Sequence, residues 1–134
     1  MPAVTLGRLV VALLAVLALT SAACSSSEAP SSGGYSTITV QDLQALTGAG
    51  EKLNIVDLRE AALYRAGHIP GARNIPFEQF NDRINELDPD SKIVLVCHSG
   101  PMGDISGQLL AERGYPNVSN VRGGMTAWNG GLER

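Results

Sequence analysis

The residues best suited to chemistry lie side by side: Cys97, His98, Ser99 and Gly100 directly follow the apolar run Ile93-Val94-Leu95-Val96. Bounded by a charge at Lys92 and by glycine, that run reads as a buried strand, and a helical pattern resumes from Asp104 to Arg113. The thiol of Cys97 thus falls where a strand gives way to a loop leading into a helix. Backbone N–H groups in such a loop, with the positive end of the helix dipole, stabilise an anion and so favour a sulfur nucleophile. The competing reading is an inert core cysteine, because free cysteine is among the most buried residue types.

The elements that must position this loop alternate between strand and helix. Strands are expected at Ser36 to Val40, Asn54 to Asp57, Asn74-Ile75, Lys92 to Val96 and Asn117 to Val121. Between them, helices are expected over Gln41 to Thr47, closed by Gly48, and over Ala61 to Ala66, closed by Gly67. A third helix starts at Pro76 and runs to Leu87, with Phe77, Phe80, Ile84 and Leu87 on one face; Met125 to Trp128 makes a last turn. This order argues for an α/β domain with a mostly parallel five-stranded sheet and helices on both faces. In such sheets ligands bind beyond the carboxyl ends of the strands. Cys97 and Asp57 both stand at such ends.

The chain ahead of this domain has a different character. Leu9 to Leu19 carries no polar or charged side chain and follows Arg8. It is shorter than the roughly 20 residues needed to span a hydrocarbon core, so residues 1–23 are expected to be a signal peptide. Residues 24–36, rich in Ser, Gly, Ala and Pro, read as a flexible tether, and residues 37–134 as one small domain. Ser21-Ala22-Ala23-Cys24 resembles the lipobox of bacterial lipoproteins, with Ser21 where leucine is usual. That resemblance implies lipidation of Cys24 and a membrane-anchored, extracytoplasmic or periplasmic protein. Ordinary signal peptidase would also accept the site and leave Cys24 unmodified.

Loss of the first 23 residues removes only Arg8, taking the net charge from −3 to −4. Nucleic acid is not an expected partner, since no basic cluster is present to neutralise phosphates. Two cysteines and two histidines so far apart make neither a disulfide framework nor a zinc set, and no metal or cofactor is expected. An exported protein with an unpaired Cys97 is expected to keep it for reactivity.

Three segments, in order, resemble the rhodanese family of sulfurtransferases: Val56-Asp57-Leu58-Arg59-Glu60 with its continuation Tyr64 to Pro76, Val94 to Gly100, and Val121 to Trp128. The likeness extends from Ile38 to Leu132. It implies a rhodanese-like fold in which Cys97 attacks a sulfane sulfur donor, becomes a persulfide and passes the sulfur on. The donor would be thiosulfate, a polysulfide or a persulfide carrier protein, and the acceptor a thiol or cyanide. His98, Ser99, Gly100, Pro101, Met102 and Gly103 would form the loop that holds the persulfide.

The loop departs from the family's frequent Cys-Arg-Ser-Gly-x-Arg-Ser. Here His98 and Met102 stand at the arginine positions, Gly103 at the second hydroxyl position, and Asp104 adds a negative charge. For a dianionic donor this loses charge-assisted hydrogen bonding worth about 1.5 to 3 kcal/mol per bond, so thiosulfate binding is expected to weaken by about one to two orders of magnitude. A neutral or protein-bound donor is favoured, and His98 supplies a cation only when protonated. A rhodanese-fold binding or sensing module is the alternative. A cysteine-dependent phosphatase would need an arginine at Gly103, and a thioredoxin-like oxidoreductase would need Cys-x-x-Cys.

Supporting roles are expected elsewhere. Asp57 either orients the cysteine loop, as the resemblance implies, or caps the following helix. Arg59 is expected to pair with a nearby acid and is the best remaining cation for the site. His68 is expected to be a hydrogen-bonding residue in a turn, Trp128 to pack in the core, and Gly123-Gly124 to allow a tight backbone entry to the last turn.

Overall fold

Why the chain folds as it does is clearest in its strands, where alternate side chains point to opposite faces. In β4, Lys92–Val96, and its continuation, Ile93, Leu95 and Cys97 join one buried cluster, whereas Val94 and Val96 join another. β2, Leu53–Asp57, behaves likewise: Val56 joins the first cluster and Ile55 the second. Both faces of the sheet are thus buried, which requires helices on both sides.

The computed structural model describes residues 34–134. Its sheet has the order β1-β5-β4-β2-β3, with β1 at Tyr35–Ile38, β3 at Arg73–Asn74 and β5 at Val118–Val121. Every pairing is parallel, so all five carboxyl ends lie at one edge of the sheet. The first cluster takes Phe80 from α3, Phe77–Arg83, and Leu110 from α4, Pro101–Glu112. The second takes Val40 and Leu43 from α1, Val40–Gly48, with Tyr64 of α2, Ala61–Ala66, and Met125 of α5, Gly124–Ala127, packed against it.

Several boundaries move from their expected places, each for a local reason. The sheet begins at Tyr35, which pairs with Val118, so the last two residues assigned to the tether belong to the domain. β1 stops at Ile38 because Thr39 caps α1: its hydroxyl accepts from Asp42 N–H at 3.1 Å, and the Asp42 carboxylate accepts from Thr39 N–H at 2.8 Å. The third helix ends at Arg83 and tightens into a 3₁₀ turn over Ile84–Glu86. The helix after Cys97 starts at Pro101 and not at Asp104. Proline suits that first position, where its missing N–H would have had no helical partner. Cys24 and residues 1–23, expected to be a signal peptide, lie outside the described residues.

Candidate active site

β4 delivers Cys97 to the carboxyl edge of the sheet, and only His98, Ser99 and Gly100 separate it from α4. Of the six residues assigned to a persulfide loop, Pro101, Met102 and Gly103 are instead the first turn of that helix. Met102 packs against the cluster that holds Cys97. His98 and Ser99 are exposed, whereas Cys97 is only 1% exposed.

The Cys97 Sγ accepts a hydrogen bond from Gly100 N–H at 3.0 Å. Gly100 reaches that position with φ 131, a conformation that side-chain-bearing residues rarely adopt. An anion-binding turn must also send its carbonyls elsewhere. The Cys97 carbonyl accepts from Met125 N–H at 2.8 Å, and the His98 carbonyl accepts from Thr126 N–H at 2.9 Å and from the Thr126 hydroxyl at 2.8 Å. Gly124 permits this approach: with φ 52, a Cβ there would come within 2.3 Å of the Cys97 carbonyl oxygen. The start of α5 therefore draws the loop carbonyls to one side, while the Gly100 N–H faces the sulfur.

Electrostatically the loop carries no arginine or lysine. His98 Nε2 lies 3.2 Å from Glu60 Oε2 in an exposed pair. The Glu60 carboxyl is held below its ordinary range first by its own backbone N–H and then by His98. Asp104, in the first turn of α4, accepts from the Tyr35 hydroxyl and, at 2.8 Å, from Asn120 Nδ2. Burial, followed by that contact with Asp104, pushes the Tyr35 hydroxyl above its ordinary range.

The Asp57 side chain pairs with Arg59 and does not cap the following helix. Its oxygens accept from Arg59 N–H at 2.9 Å, from Nε at 3.0 and 3.2 Å and from Nη2 at 2.7 Å. The helix that follows is instead capped at Glu60, without a side-chain hydrogen bond. Arg59 finds the acid expected for it, and Nη2 also donates to the Gly67 carbonyl at 2.8 Å. Asp57 is 1% and Arg59 7% exposed, so the ion pair is buried. His68 stacks on Tyr64 with ring centroids 3.8 Å apart, its Nδ1 being 2.9 Å from the Tyr64 carbonyl. Trp128 packs half-buried against the second cluster and donates to the Gly131 carbonyl at 3.0 Å. Among the described residues no group of three or more His, Cys, Asp or Glu side chains is arranged to hold a metal ion.

Sequence reasoning missed Thr126 and Asn120. The first gave no signal. The second did: it is a polar side chain sharing a strand face with buried Val118 and is itself 1% exposed.

With this geometry in view, residues 39–130 match the rhodanese-like domain family. The thiosulfate sulfurtransferase GlpE of Shewanella oneidensis is 33% identical over 95 residues, which cover 71% of this chain and 93% of that protein. The rhodanese-like domain protein of Staphylococcus aureus superposes with a TM-score of 0.68 at 31% identity, covering 72% of this chain and 95% of that one. The Bacillus subtilis protein YrkF is 35% identical over 96 residues, and the match spans only 52% of its length. The chain belongs to the rhodanese-like family, whose relatives here include sulfurtransferases.

Proposed function

We propose that the protein is an exported, membrane-tethered sulfurtransferase that carries sulfane sulfur as a persulfide on Cys97. The Cys97 thiolate attacks the outer sulfur of a donor such as thiosulfate. A new S–S bond forms, the donor's S–S bond breaks, and sulfite leaves with the bonding electron pair. A thiolate or cyanide then attacks the terminal sulfur, takes it, and returns the Cys97 thiolate. The Gly100 N–H on Cys97 Sγ carries this reading, because a donor already aimed at sulfur stabilises the negative charge in both resting and persulfide states.

The cation-free loop favours a neutral organic polysulfide or a protein-bound persulfide over dianionic thiosulfate as donor. That same feature supports the second reading, a rhodanese-fold binding module. Intact-mass analysis after separate exposure to polysulfide and thiosulfate decides between them. The expected result is the gain of one sulfur atom, removed by cyanide and absent in Cys97→Ser, with polysulfide the better donor. No gain from either donor would leave the binding module. For the anchor, lipid on Cys24 is expected to move the full chain to the membrane fraction, and Cys24→Ser to release it; a soluble unlipidated wild type would refute the tether.

A further inference from the structure

Gly103 stands where the family resemblance puts a hydroxyl residue, and the structure fills the vacated volume from another element. A Cβ on Gly103 would lie 1.9 Å from Asn120 Oδ1 and 2.4 Å from its Cγ. The amide of Asn120, on β5, therefore packs directly over the Gly103 backbone. Its orientation is dictated by its partners. Nδ2 is 2.9 Å from the Gly100 carbonyl oxygen and 2.8 Å from Asp104 Oδ1, both acceptors, so the nitrogen must face them. Oδ1 is left buried beside Gly103 with no hydrogen-bond partner among the described residues. Retaining a buried acceptor unsatisfied is costly, which argues that the opposite end of the amide does something useful.

What that end holds is the hinge of the nucleophile turn. The Gly100 carbonyl accepts from both Asn120 Nδ2 and Asp104 N–H, the latter at 3.1 Å, while Gly100 N–H points at Cys97 Sγ. Glycine at φ 131 is conformationally permissive, so pinning its carbonyl restricts where its N–H can aim. We propose that Asn120 is a positioning residue that replaces the hydroxyl missing at Gly103, locking the Gly100 carbonyl from β5 and so holding the Gly100 N–H on Cys97 Sγ. The Asp104 carboxylate is the third member: Tyr35 and Asn120 fix it on the β1 and β5 side of α4.

This inference rests on the persulfide reading of Cys97 for its consequence but not for its geometry, and a substitution cycle separates the two. Asn120→Ala, Gly103→Ser and the double variant are compared in the domain by thermal unfolding, by the pH profile of Cys97 alkylation with iodoacetamide, and by polysulfide-to-cyanide sulfur transfer. Asn120→Ala is expected to move the alkylation midpoint upward and to lower kcat about tenfold with little change in KM. Gly103→Ser is expected to lose activity similarly, because its side chain collides with the amide. The double variant places the serine in the space the amide vacated and is expected to recover most of the loss. Asn120→Asp, nearly the same shape, keeps the test open should the alanine variant fail to fold; it is expected to show the same upward alkylation shift. Losses that simply multiply in the double variant would overturn the exchange of Asn120 for a hydroxyl. Unchanged alkylation profiles in the single variants would overturn the positioning role. An altered alkylation profile in a protein that never forms a persulfide would refute the functional reading and leave the positioning role standing.

Discussion

β2 and β4 lie side by side in register, Asp57 opposite Val96, and each hands an ionisable side chain to the same edge of the sheet. Both are buried, but one end is closed by an ion pair and the other is open in the sense of carrying none. At β2, Asp57 and Arg59 turn toward each other, and the guanidinium also meets the Gly67 carbonyl. At β4, Cys97 receives the Gly100 N–H, its neighbouring carbonyls are drawn off by Met125 and Thr126, and among the described residues no charged side chain hydrogen-bonds to the sulfur. A buried charge satisfied on all sides organises structure; an anion site left with donors but no counter-charge is available for chemistry.

Replacing the nucleophile should break the comparison most completely. Cys97→Ser is expected to abolish sulfur uptake in intact-mass measurements while leaving the urea unfolding midpoint nearly unchanged; retained uptake would refute the role of Cys97. At the closed end the pattern should reverse. Arg59→Met leaves the Asp57 carboxylate buried and unpaired, at an expected cost of about 3 to 5 kcal/mol in urea unfolding, and Asp57→Leu in the same chain should recover much of it. Sulfur uptake by the folded fraction should change far less than stability does.

A cation can then be added at the open end. Met102→Arg is expected to lower KM for thiosulfate about tenfold, through a charge-assisted hydrogen bond of the kind this chain lacks, with polysulfide turnover changed much less. Equal or poorer thiosulfate kinetics would show that the core contacts of Met102 outweigh the gained charge. The smallest effect concerns Glu60, exposed between the two ends. Its folded-state carboxyl is lowered by its own N–H and by His98, so its contribution to stability exists above the ordinary carboxylate range and disappears as pH falls through the lowered value. Glu60→Gln is therefore expected to melt slightly below the wild type at neutral pH and to converge with it as the pH falls through that lowered value. A gap that widens in acid would refute that assignment.

How much could be read in advance differs between elements. β4 was legible to the residue, because a fully buried parallel strand is a continuous apolar run with a charge at its start. The start of α4 was not, since Ser99-Gly100-Pro101 reads locally as a turn, and only the assembled structure shows Pro101 as its first helical residue. Arg59 was read as a paired cation, but the identity of its partner and the burial of both emerge only on folding. Asn120 could be noticed as a polar residue on a buried strand face, but its partners, Gly100 and Asp104, lie 20 and 16 positions away and emerge only on folding.

The sequence alone determined the parallel α/β architecture, the family and the cysteine at a strand end, since periodicity and turn residues are local signals and the three motifs occur in order. Tertiary structure decided which groups surround the sulfur. The N–H that meets Sγ, the α5 residues that turn the loop carbonyls aside and the β5 amide that fills the space over Gly103 come from separate elements. Their convergence depends on parallel strands ending at one edge, a long-range packing outcome that no local pattern encodes.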